Sequence, residues 1–137
     1  MKKALGVLFL FSIFLVSTSF AETPDLTGTW KGKGAGMLPN GYVIDGLVLT
    51  AKITNQVGGL FSATFVVKVP GMGKTALSGV GYVGPDGKLK AIWNFEGQVV
   101  GIAEAWVDTS QEKWTMEGVG SDFSDGSINA FKLIKKK

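Results

Sequence analysis

The chain predicts an all-β fold: an eight-stranded antiparallel up-and-down β-barrel preceded by a signal peptide. Three observations lead there. Short runs of alternating apolar and polar residues follow one another from Gly28 to Ile134, with no helical period after the first 21 residues. Gly, Pro, Asn and Asp separate these runs at short intervals, which favours sequential hairpins. The chain has no cysteine, so an exported domain of this size is held by its core alone, and closing the sheet on itself removes the open edges.

The beginning of the chain reads as an address. Lys2 and Lys3 precede an apolar run from Ala4 to Val16, and Ser19 and Ala21 form a small-x-small cleavage signal. Residues 1–21 are therefore expected to be a signal peptide cleaved before Glu22, with the mature protein periplasmic or secreted. The apolar run is shorter than the roughly 20 residues that span a bilayer, so no membrane span is expected after cleavage. Residues 22–137 are then expected to form one barrel domain.

Composition excludes several function classes. The formal net charge is +3, but Lys2 and Lys3 belong to the leader and Lys135, Lys136 and Lys137 to the end of the chain. No basic stripe interleaved with aromatics remains, so no nucleic-acid partner is expected. With neither His nor Cys, the chain lacks a His-dependent triad, a thiol nucleophile and a His or Cys metal cluster. No enzyme activity, metal or cofactor is expected.

The mature chain opens on Asp25-Leu26-Thr27-Gly28-Thr29-Trp30. Asp25 and Thr27 suit a short capped turn, Gly28 allows the backbone to change direction, and Trp30 then points inward. Strands are expected over Gly28–Gly34, Tyr42–Thr54, Leu60–Val69, Thr75–Gly84, Lys88–Phe95, Val99–Asp108, Lys113–Gly120 and Ser127–Ile134.

Turn chemistry predicts the register. Gly84-Pro85-Asp86-Gly87 fits a type I turn followed by a left-handed glycine, which sets Gly84 opposite Lys88, Gly81 opposite Ala91 and Gly79 opposite Trp93. A three-residue loop Glu96-Gly97-Gln98 sets Trp93 opposite Gly101. A two-residue turn there would slip the register and carry Glu104 into the lumen. A five-residue loop from Pro70 to Lys74 sets Phe65 opposite Gly79. A four-residue loop from Thr109 to Glu112 sets Ala105 opposite Met116 and Gly101 opposite Gly120. Large residues then meet small ones across strands, as a narrow barrel requires. The inner wall expected from this register includes Phe61, Phe65, Trp93, Phe95, Trp114 and Met116, with Phe131 and Leu133 from the last strand.

Gly28-Thr29-Trp30 resembles the G-x-W signature of lipocalins, and Leu26-Thr27-Gly28-Thr29-Trp30 is similar to the opening of avidin-type barrels. The resemblance implies a calycin-type barrel with Gly28 and Trp30 as a structural plug at one end. It also implies a basic residue from the last strand over the Trp, a place that Lys132 is expected to fill in a chain without Arg. Under the same resemblance, the first link, Gly34 to Gly41, lies over the open end, which makes Met37 and Leu38 a lid.

Other motifs carry less. Gly79-Val80-Gly81-Tyr82-Val83-Gly84 fits G-x-G-x-x-G, yet Pro85-Asp86-Gly87 follows where a dinucleotide fold needs a helix N-terminus. Gly73-Lys74-Thr75 lacks the first glycine of a P-loop, because position 68 is Lys68. Asp122, Ser124 and Asp125 lack the later Glu of a calcium loop and read as turn formers. Glu104 and Glu117 fall opposite each other in the expected register and invite an acid/base pair, but on a solvated outer face.

The expected function is binding of a small apolar or amphipathic molecule in the lumen. Met37, Leu38, Phe61, Phe65, Trp93, Trp114 and Met116 are the ligand-binding candidates, and Tyr42, Trp106 and Asn129 are possible rim groups. The alternative is a protein-binding module, such as an inhibitor of an exported protease, using the segment Glu22-Thr23-Pro24.

Overall fold

A computed structural model describes residues 22–137; the expected signal peptide lies outside the described residues. Eight strands run in chain order: β1 (Gly28–Met37), β2 (Val43–Val57), β3 (Leu60–Val69), β4 (Gly73–Val83), β5 (Lys88–Phe95), β6 (Gln98–Asp108), β7 (Thr115–Asp122) and β8 (Ile128–Lys135). Each pairs antiparallel with the next, and β8 pairs with β1, which closes the barrel. Alternation puts one side chain in two inside: Leu47, Leu49, Ala51 and Ile53 of β2 are buried, whereas Val48 and Lys52 between them are exposed.

The β4–β5 hairpin follows the expected turn. Gly87 is left-handed (φ 81°), its amide donates to the Gly84 carbonyl, and Gly79 pairs with Trp93 and Gly81 with Ala91. The β5–β6 link differs from the expected three-residue loop. Glu96 (φ 49°) and Gly97 (φ 81°) form a two-residue turn with both centres left-handed, closing on Phe95 and Gln98. A bulge then leaves Val100 unpaired between Asn94↔Val99 and Trp93↔Gly101. The extra residue cancels the slip, so Trp93 still faces Gly101 and Glu104 stays outside, 3.6 Å from the Lys90 ammonium. Phe95, expected on the inner wall, sits beside this turn and is exposed.

Two further registers move by two residues. The β3–β4 loop is three residues long, Pro70 to Met72, so Phe65 pairs with Leu77, not Gly79. The β6–β7 loop is longer than expected, so Ala105 pairs with Gly118, not Met116, and Gly101 with Asp122, not Gly120. Glu104 then faces Val119, while Glu117 pairs with Lys132; the two carboxylates are not partners.

At the first link, β1 continues past Gly34 to Met37. The Leu38 amide donates to the Tyr42 carbonyl and the Gly41 amide to the Leu38 carbonyl, which makes a tight hairpin where a lid was expected.

Candidate functional site

One end of the barrel is sealed. Trp30 is fully buried, and its indole Nε1 donates to the Leu26 carbonyl at 2.9 Å, which draws the N-terminal segment across the opening. Gln56 fastens that segment. It accepts from the Leu26 amide at 2.8 Å and donates to the carbonyls of Pro24 and Gly58. The expected Asp25 cap is present: its carboxylate accepts from the Thr27 hydroxyl and the Thr27 amide, and these bonds, the hydroxyl first, hold the Asp25 pKa below its ordinary value.

The cation at this end is Lys135, not Lys132. Its ammonium donates to the Asp25 carbonyl at 2.9 Å and lies 5.8 Å from the Trp30 ring centre and 4.6 Å from that of Trp114. Lys132 instead forms an exposed ion pair with Glu117. Trp114, expected along the lumen, precedes β7 and belongs to this sealed end.

Between the sealed end and the opposite turns lies a cavity of about 270 Å³. Phe61, Phe65, Trp93 and Met116 line it together with Leu47, Ile53, Leu89 and Phe131. Phe65 and Trp93 stack with ring centres 4.8 Å apart and planes at 28°. Met37 and Leu38 do not line the cavity. Met37 lies in β1 next to lumen-facing Gly36, is half-exposed, and pairs with Val43 and Ile128. Tyr42 and Trp106 are exposed on the outside, whereas Asn129 lines the lumen.

The wall is built from bulky residues set directly opposite glycines on the adjoining strand. A methyl group on Gly79 would lie 2.7 Å from Trp93 Cζ3 and one on Gly118 2.8 Å from Phe131 Cζ, while one on Gly81 would meet the ring of Phe61. The fourth such pair is Gly120 and Asn129, where the methyl would lie 2.7 Å from the Asn129 amide oxygen. Sequence reasoning found Gly79 for Trp93 and missed the other three pairs, because Gly81–Phe61 depended on the shifted β3–β4 loop and the two β7–β8 pairs on a register that the turn residues did not predict.

Polarity in the lumen is one-sided. Apart from Thr75, the polar non-aromatic side chains on the lining are Asp122, Asp125, Ser127 and Asn129, all from the β7–β8 hairpin at the end away from Trp30. Asp122 and Asp125 each spend Oδ1 on their own turn, accepting from the Ser124 amide and hydroxyl and from the Ser127 amide respectively. They act as turn formers, and among the described residues no cluster of carboxylates suited to a metal ion occurs. No lysine lines the cavity.

Fold and site thus define a closed eight-stranded antiparallel barrel with a largely apolar lumen, sealed at one end. No protein-family model matches the chain, and no curated protein matches it. Among solved structures the chain is similar to EF1p2_mFAP2b bound to DFHBI, with a TM-score of 0.49 and 12% sequence identity over 81% of this chain and 94% of that one. That identity is too low to carry a ligand across.

Proposed function

We propose that this protein is an exported, non-catalytic barrel of the lipocalin-like and avidin-like type that holds an apolar or amphipathic small molecule in its lumen. The observation that carries this reading is the cavity of about 270 Å³ walled by Phe61, Phe65, Trp93 and Met116. Ligand pockets begin at roughly 300 Å³, and an apolar cavity of about 150 Å³ already admits benzene, so the space suits a molecule of one or two rings. A non-catalytic role agrees with the chain's lack of His and Cys and with Glu104 and Glu117 each engaged by its own lysine on the outer face.

Native mass spectrometry of the protein purified from its own host tests the reading. A co-purifying small molecule that is lost in Trp93→Ala supports it, and a lumen that takes up no apolar probe refutes it. Export is tested by the mature N-terminus, expected at Glu22.

A second reading, a protein-binding module such as an inhibitor of an exported protease, draws on the outer face. Val80, Ile92 and Ile102 are adjacent across β4, β5 and β6 and are 54%, 43% and 45% exposed. A partner protein that is released by Ile92→Lys, while the lumen stays empty, would favour it.

A further inference from the structure

The barrel wall repeats one device, a bulky inward side chain packed on a glycine of the neighbouring strand, and three of its four instances are aromatic. Asn129 is the fourth. Its amide is seated over Gly120 in the same way that Trp93 is seated over Gly79. Asn129 is half-buried at the polar mouth, so its amide is available to water or to the head group of a molecule in the lumen. Among the described residues, no hydrogen bond engages the Asn129 side chain within the protein, and it faces the cavity.

The charge of the surroundings narrows what Asn129 meets. Asp122 and Asp125 flank it at the mouth, and the carboxylate oxygen Oδ2 of each makes no hydrogen bond or ion pair among the described residues. No cation lines the space, so an anionic group entering it would lose hydration, gain no counter-ion and face two like charges.

Resting on the lumen-binding reading, we propose that Asn129 orients an aromatic amphiphile whose neutral or cationic hydrogen-bonding head sits at the β7–β8 mouth, its rings against Phe65 and Trp93, and that the site rejects carboxylates. The amide carbonyl of Asn129 accepts from a hydroxyl or ammonium head, and its NH2 donates to a hydroxyl oxygen. Asp122 and Asp125 add attraction for a cation at longer range.

Three matched probes test this by titration calorimetry at neutral pH: 2-(2-naphthyl)ethanol, 2-(2-naphthyl)ethylamine and 2-naphthylacetate. The alcohol and amine are expected to bind, with the acetate weaker by about tenfold or more at low salt and the amine–acetate gap narrowing as salt rises. Asn129→Leu should weaken the alcohol about tenfold, the scale of a lost buried hydrogen bond. Asn129→Asp, close in shape, should widen the amine-to-acetate ratio. Acetate binding as tight as amine binding, or an alcohol indifferent to Asn129→Leu and a ratio indifferent to Asn129→Asp, overturns the proposal while leaving lumen binding in place. If the alcohol fails to bind, or binds equally to a Val67→Trp variant that obstructs the cavity, the lumen reading itself falls.

Discussion

Gly79→Ala puts the wall to a direct test. The backbone at Gly79 is not left-handed, so a methyl group brings no conformational penalty of its own and its effect comes from contact alone. The methyl would meet the edge of the Trp93 ring, 2.7 Å from Cζ3, and stand 2.9 Å from the Ile92 carbonyl oxygen. Phe65, stacked at 4.8 Å, braces the ring, so Trp93 can retreat only toward the cavity and by giving up that stack. Overpacking of this kind costs about 1–3 kcal/mol, and contact with both a braced ring and a backbone oxygen places Gly79→Ala in the upper part of that range. With a urea slope of about 1–3 kcal/mol/M, the unfolding midpoint should fall by about 1 M. Urea titration followed by far-UV circular dichroism measures it. The same substitution in a Trp93→Leu background should cost at least about 1 kcal/mol less, though not nothing, since the Ile92 carbonyl remains. A Gly79→Ala protein within about 0.5 kcal/mol of the parent, or one whose loss is unchanged when the indole is gone, would refute the bulky-on-glycine account.

At the sealed end, Lys135→Met should lower stability by about 1–2 kcal/mol, through the lost bond to Asp25 and the lost contact with two indoles, whereas Lys132→Met should stay within about 0.5 kcal/mol. Urea midpoints of the two variants separate these roles. Gln56→Leu leaves the Leu26 amide and the Pro24 carbonyl without their partner, so amide hydrogen exchange at Leu26 should accelerate and stability drop by about 1–3 kcal/mol. Hydrogen bonds from the Ser110 hydroxyl and amide lower the Asp108 pKa, as those from Thr27 do for Asp25. A depressed folded-state pKa contributes stability that is fully present above the unfolded value of 3.8 and lost as pH falls through the folded one. Without His, the urea midpoint should therefore be nearly flat from about pH 5 to 8 and decline only below about pH 4. Thr27→Val should return the Asp25 pKa toward 3.8 in a carboxyl NMR titration.

The wall of the barrel was legible because its signal has a period of two. Loop lengths were misjudged between β3 and β4 and between β6 and β7, but each error displaced the register by two residues, which keeps every side chain on its face. Phe65, Ala103 and Met116 therefore line the interior even though their expected neighbours were wrong. What moves with a two-residue error is who sits opposite whom. That is why the Glu104 and Glu117 pairing dissolved, and why the glycine beneath Phe61 went unnoticed; the glycine beneath Phe131 lies across β7 and β8, whose turn suggested no register.

Ends of strands were less legible for a different reason. Near a turn, alternation is too short to weigh, and the outcome depends on backbone geometry that side-chain pattern does not encode. Glu96 adopts a left-handed conformation that favours glycine or asparagine, and the bulge at Val100 then restores the register that the short turn had shifted. Met37 and Leu38 looked like a lid because apolar residues in a Gly-rich link suggest a covered surface. The structure instead extends β1 to Met37, where pairing with Val43 and Ile128 satisfies the backbone and leaves the side chain outside. Lys135 displaced Lys132 over Trp30 by the same logic: β8 alternation places Lys132 on the outer face beside Glu117, and only at the last residue of the strand can a long side chain turn under the barrel to reach two indoles and the Asp25 carbonyl. The sealed end is thus fixed by where β8 stops, and inserting Ala-Ala between Ile134 and Lys135 should carry the lysine two positions beyond Trp30 and lower the urea midpoint as Lys135→Met does, while the pairing of Leu133 and Phe131 along the lumen stays intact.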